Sequence, residues 1–505
     1  MATVAALDDR VLDELAQIVG PQHVLTSKTA RFNRARTPAM FAVHRWADHV
    51  PQVVVMPGSA EEVSEIVRLA NRERIPVVPR AGGTGLVDGA VPLRHGILVD
   101  IKRMDQVHEI DLAERTVTVG PGVNMLKLNE LLRPHGVIYP DDPASYSCAL
   151  VGGRIGTNGW SLLGARFGHV RNLVISFEIV LPTGEIIRVG DGGKKTRSSS
   201  SGYRLKELFM GTQGTLGIVT QATLELVKRP EAEFSAFWLQ RSYDSAWRTA
   251  GELMRSGYAT IAGVMLFDER KVAYLRRDDE AYIAQPEWAT SVVAFALYGN
   301  RAEVRPAAKE MMRIAAASGG EYVGDEIAQL DWSARHDRYA TPLHGRTPNG
   351  QVAPMAWHCE DAAIPYPKVP EIRERWHRIV ERLIERYPIF DDWGMFGYTN
   401  GPNKPWGDVL CEIDVGIWEP HLDDETWGAW VDAKREIARA SIEVGGSISA
   451  AHGSSRAGEV ELVPLELGGA YEVMKKIKRA LDPNNVMNPG KYLLDSAYEN
   501  DEEVD

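Results

Sequence analysis

The stretch IPVVPRAGGTGLVDGAVP, residues 75–92, places four glycines within eight positions between two runs that read as strands. A turn so poor in side chains lets backbone N–H groups approach an anion with no Cβ in the way. Three phosphate cradles can be told apart by their neighbours. An ATP-type loop closes on Lys-Ser or Lys-Thr, whereas Leu86 and Val87 follow Gly85. A dinucleotide fingerprint G-x-G-x-x-G opens a helix, whereas here Asp88 stands where the third glycine belongs and the next segment, GILVDI, is another strand. The third kind joins strand to strand, and its amides with Arg80 would hold a pyrophosphate without a helix terminus. A bare turn with no ligand is the competing reading of any single glycine cluster.

The rest of the chain bounds the answer. Its 505 residues, 44% hydrophobic and 25% charged, suit a globular protein of two or more domains. A net charge of −12 argues against a nucleic-acid-binding surface, and the end ENDEEVD reads as a solvated tail. Cys148, Cys359 and Cys411 are widely separated, so neither a Cys-rich zinc site nor an iron–sulfur cluster is expected, and a reducing compartment is implied. The first twenty residues carry acids where a signal peptide needs a basic start, and no run of about 18 apolar residues occurs. The expected location is the cytoplasm.

Along the chain, PQVVVMP reads as a buried strand, and the following segment as a helix with a capping box of Ser59 and Glu62 and apolar Val63, Ile66, Val67 and Ala70 on one face. Strands near 75–79 and 97–101, a hairpin, and a helix over about 124–133 ending near Gly136 follow. VISFEIVLPTGEIIRVG is a hairpin around Pro182-Thr183-Gly184. With DDPASYSCALVGGRIGTNG and GTQGTLG, region 45–230 holds three glycine-rich loops between strands, enough for one long ligand to touch. The polar stretch 192–204 reads as a mobile loop. Residues 231–440, with most tryptophans and longer helices, read as a second domain, before a glycine-rich return and a helix over LELGGAYEVMKKIKRALDP. The fold class is α+β.

PRAGGTGLVDGAVP, PDDPAS, VGGRIGTNG, VLPTGEIIRVG, GTQGTLGIVTQATL and RALDPNNVMNPGK, in this order, resemble the FAD-linked oxidoreductases of the vanillyl-alcohol oxidase/p-cresol methylhydroxylase superfamily. The branch it resembles holds the glycolate oxidase D-subunit and the D-lactate and D-2-hydroxyglutarate dehydrogenases. The resemblance implies a two-part FAD-binding domain over 1–230, a substrate domain over 231–440, a segment 441–495 returning to the flavin, and a tail 496–505. It further implies FAD held by Arg80, Ala81, Gly82, Gly83, Thr84 and Gly85, and by Asp142, Pro143, Gly153, Thr157, Asn158, Gly168, Gly214, Ile218 and Val219, with Asn488 near the ring. Relatives that bind flavin covalently carry a histidine where Gly83-Thr84 stand, so noncovalent FAD is expected.

Flavin accepts the hydride, so the protein must supply position and proton handling. The resemblance gives His452, in SAAHGSS, as the base, with Tyr398 as runner-up, and Arg335, in LDWSARHDRY, as the cation for a carboxylate, with Arg456 in reserve. Many 2-hydroxy-acid dehydrogenases of this group hold a metal with two histidines and a glutamate. Here Tyr398, Pro405 and Ala451 occupy those positions, so no metal is expected. Two enzymatic readings follow: a metal-free oxidation of an aromatic or para-phenolic alcohol, with Trp393, Tyr398, Trp357, Trp406 and Asn403 around it, or oxidation of a D-2-hydroxy acid held by arginines. A flavin-binding subunit without catalysis is the third. Oxygen, a quinone, a cytochrome or an electron-transfer flavoprotein are all chemically open as acceptor, and a homo-oligomer is compatible with the sequence.

Overall fold

The computed structural model describes all residues except 1–6, 39–47, 191–194, 278, 280–281, 283, 340–343, 400–406, 419–421, 455–456 and 499–505; for 337–339 and 344 it describes the backbone. Two small sheets and one large one carry the fold. In the first, Val53–Val55, Ile97–Asp100 and Val77–Arg80 run parallel, with the short strand Val24–Leu25 antiparallel at the edge. The crossover helix Ala60–Glu73 is capped as the sequence reading expects: Ser59 Oγ accepts from the Glu62 N–H at 3.2 Å, and Glu62 reaches back to the Gly58 N–H at 2.7 Å. The second sheet is antiparallel, in the order Val107–Asp111, Thr116–Val119, Ile218–Glu225, Val174–Val180, Ile186–Gly190.

Three local expectations are corrected. The glycine-rich stretch after Asp142 is not all loop: Val151–Thr157 forms a helix that Asn158 ends in the left-handed conformation. The polar stretch at 192–204 is anchored at its described start, where Lys195 pairs with Asp111 and Glu109 and Arg197 with Glu225. The single helix expected over 465–483 is divided at Gly468, whose φ of 52° and ψ of −129° suit only glycine, leaving Gly469–Leu481 as the main helix. No helix among the described residues is long and apolar enough to cross a membrane.

Residues from Ala232 onward build an eight-stranded sheet that holds Ile261–Phe267, Phe390–Thr399, Asp408–Trp418 and Val352–Pro365 side by side, all antiparallel. Alternation of side chains along each strand divides its surroundings in two. Val264, Leu266, Met395, Cys411, Ile413 and Val415 face helices Tyr243–Arg255, Val369–Arg386 and Asp424–Glu443 and make the largest core. Met265, Phe267, Tyr398 and Leu410 face the other way, toward Trp160 and Leu162 of the first domain.

One buried charge cluster ties this sheet to a short helix that reaches the other face. His377 lies 2.6 Å from Asp268 through Nε2 and 2.7 Å from Asp392 through Nδ1. Asp268 is also the N-cap of Glu269–Leu275, accepting from the Lys271 N–H at 2.9 Å. Burial alone would lower the His377 pKa, but the two carboxylates outweigh it and raise it to about 9. A raised native pKa means that this stabilisation is complete below the unfolded value of about 6.5 and is lost as pH rises through about 9. Thermal stability is therefore expected to fall across that window in the wild type and to lose this slope in His377→Ala, which also costs about 1–3 kcal/mol by taking one partner from each of two buried carboxylates that keep Arg373 and Arg270. Melting curves at several pH values check both; a flat difference between wild type and variant would refute the assignment.

Candidate active site

Between the first domain and the second face of the large sheet lies a cavity of about 740 Å³. One wall is backbone. Arg80 to Gly85 line it in sequence, followed by Pro143, Gly153 and Thr157 and then by Gly214, Ile218 and Val219. These predicted cofactor positions converge although up to 139 residues separate them, Arg80 from Val219. Asp142, Asn158, Gly168 and Asn488, predicted for the same role, do not line the cavity. Asn158 and Gly168 shape the backbone beside it at φ values of 51° and 86°.

The Arg80 guanidinium is buried with Nε and Nη1 unpaired by any protein group. Its burial lowers its pKa to about 10 against the attraction of Asp100. A buried, unpaired cation at a glycine loop fits a phosphate-bearing group, because the ligand's charge would restore what burial removed. Gly83 makes room for it: φ is 66°, and a Cβ there would lie 2.1 Å from the guanidinium. This loop suits the pyrophosphate of a dinucleotide.

Asn488 does something other than approach the ring. Fully buried, its side-chain amide donates to the Gly89 carbonyl at 2.8 Å and to the Gln213 carbonyl at 2.6 Å, stapling two glycine loops together. Lys478 and Lys491 extend the staple, donating to the carbonyls of Thr215 at 3.0 Å and Asp88 at 2.8 Å. The motif RALDPNNVMNPGK thus acts as a clamp on the loops.

The opposite wall is the sheet. Register places Met265 beside Tyr398, Phe267 beside Phe396, Phe396 beside Glu412, and Asp361 beside Glu412. Trp357, Phe396, Leu410 and Trp393 give this wall its apolar surface, with Tyr274 stacked on Trp393 at 4.2 Å between ring centroids. Lys271, brought in by the helix that Asp268 caps, pairs with Asp414, which also accepts from Trp357 Nε1 at 2.9 Å.

His452 lines the cavity, and its Nδ1 is 2.6 Å from Asp361 Oδ1. The other Asp361 oxygen accepts the N–H groups of Ala450 and Ala451 at 2.6 and 2.7 Å. Burial would raise the Asp361 pKa, but His452 and these amides overcome it and hold the carboxylate below its ordinary range. With Nδ1 committed to Asp361, Nε2 is the nitrogen left for the cavity. Glu412 sits differently. Burial, and then the charges of Asp414 and Asp361, push it well above the carboxylate range against the pull of Lys271.

The two other predicted catalytic residues are otherwise engaged. Arg335 spends Nε on Asp142 at 2.9 Å and Nη1 on the Trp332 carbonyl at 3.0 Å, and His336 takes the other Asp142 oxygen at 2.8 Å. Burial would raise the Asp142 pKa, yet these partners hold it below its ordinary value. The pair braces the two domains. Tyr398 is fully buried and lines the cavity; its hydroxyl donates to the Leu162 carbonyl at 2.7 Å, and burial pushes its pKa far up. Asn403, Pro405, Trp406 and Arg456 lie outside the described residues.

Sequence reasoning missed Lys271, Cys359, Asp361, Glu412 and Asp414. The alternation WHCED and LCEID was the available signal, since charged residues at every second position of otherwise apolar strands mark a polar site on one face. Cys359 Sγ, a Glu412 oxygen and a His452 nitrogen come within 4.8 Å of one another.

Residues 51–190 match the family described as the FAD binding domain, and residues 229–492 the family described as FAD linked oxidases, C-terminal domain. The glycolate oxidase subunit GlcD of Bacillus subtilis is 29% identical over 96% of this chain and 97% of its own. A D-lactate dehydrogenase of Archaeoglobus fulgidus is 30% identical over 95% of this chain and 98% of its own. Among solved structures, p-cresol methylhydroxylase with substrate bound superimposes with a TM-score of 0.77 at 17% identity, covering 96% of each chain. At that identity the likeness is one of fold.

Arg80→Ala is expected to weaken FAD binding about 10- to 100-fold, the scale of losing a charged hydrogen-bonding partner. Flavin titration followed by visible absorbance measures it, and an unchanged affinity would remove Arg80 from the cofactor site.

Proposed function

Since the chain belongs to the FAD-linked oxidases, with FAD as cofactor and an oxidoreductase activity on hydroxyl groups, we propose that it oxidises a carbon bearing a hydroxyl in a substrate whose body is an apolar ring. One observation carries this reading: an aromatic wall of Trp357, Trp393, Phe396 and Tyr274 stands in the same cavity as a histidine oriented by a carboxylate.

When bound, FAD supplies the hydride acceptor. The glycine loops and Arg80 would hold its pyrophosphate and so fix the distance from ring to sheet wall. Asp361 keeps the His452 ring in one orientation, with Nε2 toward the substrate's hydroxyl to take its proton. The aromatic wall excludes water and leaves an apolar body one place to lie. Arg335 and Asp142 keep the substrate domain seated over the first domain.

A second reading, oxidation of an aliphatic D-2-hydroxy acid, is favoured by the whole-length likeness to a glycolate oxidase subunit and a D-lactate dehydrogenase. In that case the carboxylate would be met by Arg335, which shares its charge with Asp142, or by Lys271, which shares its own with Asp414; both line the cavity.

Anaerobic flavin reduction by a panel of para-substituted benzylic alcohols and of D- and L-2-hydroxy acids separates them. The proposal expects bleaching by the ring-bearing alcohols, bleaching by glycolate or D-lactate alone selects the second reading, and a flavin that none of them reduces refutes both. His452→Ala should keep its flavin and slow reduction about 10²-fold or more; unchanged kinetics would remove it as base. Denaturation should release free FAD, and flavin that stays with the precipitated polypeptide would contradict noncovalent attachment.

A further inference from the structure

We infer that Cys359, Glu412 and His452 form a binding site for one divalent metal ion of the zinc type on the sheet wall of the cavity. The ligands are not the three positions, 398, 405 and 451, whose identities remove the metal expected from the resemblance. They come from two adjacent strands and a distant loop.

Strand geometry brings the first two together. In Val352–Pro365 and Asp408–Trp418 the paired residues are Asp361 with Glu412 and Cys359 with Asp414. Cys359 and Glu412 are therefore diagonal neighbours on one face, a separation that side chains can bridge. His452 enters from the loop after Ser447, and the three ligand atoms lie within 4.8 Å of one another, with Cys359 and Glu412 buried. Ligand distances of about 2.0–2.3 Å give a tetrahedron with edges of about 3.5 Å, so a contraction of about 1 Å closes the site.

Three further features fit. The His452 ring is held through Nδ1 by Asp361, which two backbone N–H groups hold in turn; a carboxylate behind the second nitrogen is how metal-binding histidines are oriented. Asp414 stands beside Glu412 on the same strand face and is itself fixed by Lys271 and Trp357. The charges also call for a cation. Three buried carboxyl groups, Asp361, Glu412 and Asp414, meet at one wall, where Lys271 serves Asp414 and His452 serves Asp361. Glu412 has no ion-pair partner among the described residues, which leaves it as the carboxyl group on this wall that a cation would meet.

One sulfur, one imidazole nitrogen and one carboxylate oxygen select a zinc-like ion over magnesium or calcium, which prefer oxygen alone. Three protein ligands leave a fourth position open, and because Glu412 and His452 line the cavity, that position faces it. Nε2 of His452 can serve the ion or the substrate's proton but not both, so ion and substrate proton compete for this one nitrogen.

Cobalt(II), whose four-coordinate complexes absorb at longer wavelengths than oxidised flavin, is the probe. The flavin-loaded full chain, freed of metals by dialysis against a chelator, should develop these bands on titration, saturate at one equivalent and lose them to zinc. Cys359→Ser and Asp361→Asn, each checked for retained flavin, should weaken cobalt binding about 10- to 100-fold. Absence of saturable bands, or equal affinity in both variants, overturns the inference. If His452→Ala slows flavin reduction in a protein that binds no cobalt, the ion falls and the proposed base stands. If cobalt binds at one equivalent but no hydroxylated substrate bleaches the flavin, the ion stands and the proposed function falls.

Discussion

The cofactor wall of this protein depends on backbone that belongs to no helix or sheet being held still. Glycine loops at 82–89 and 211–215 have few side chains with which to fix themselves, and glycine loses the most conformational freedom on folding. The restraint arrives from the far end of the chain. Asn488 donates to carbonyls in both loops, Lys478 and Lys491 donate to further carbonyls, and Met487 bridges to Val77 beside the first loop. Each of these donors is buried, so leaving its carbonyl partner unpaired would cost about 1–3 kcal/mol. A dinucleotide site can therefore be assembled without a helix terminus, provided that the chain returns to it.

The second wall follows from a different constraint, the two-residue period of a strand. On the large sheet, Cys411, Ile413 and Val415 are buried against helices while Leu410, Glu412 and Asp414 face the cavity. The same strand contributes to the core and to the chemistry, residue by residue. The charged side chains on the second face are tolerated in a buried place because Lys271 and His452 meet Asp414 and Asp361. Lys271 in turn depends on the cluster of His377, Asp268 and Asp392, since Asp268 both caps its helix and binds the histidine.

Local signals carried much of the first domain. The N-cap at Ser59, the hairpin around Gly184 and the strand-to-strand glycine loop are written in consecutive residues, and each is seen as read. The helix Val151–Thr157 was missed because three glycines in seven residues argue for a loop, and its surroundings override that preference. In the second domain the partners of Arg335 and Tyr398 could not be read from the sequence, for a common reason. A motif shows that a residue is present, but its partners, Asp142 and the Leu162 carbonyl, lie far away in sequence.

By itself the sequence determined the family, the flavin, the glycine cradle and the histidine that the cavity now contains, because each is specified by a contiguous pattern whose backbone requirements are local. Only the tertiary structure decided which groups surround that histidine. Asp361, Glu412, Cys359 and Lys271 are 40 to 181 positions from His452, and what brings them within reach is the register of strands paired across the sheet. Register is set by which faces are buried and by every residue along the paired strands together, so no short stretch of the chain contains it.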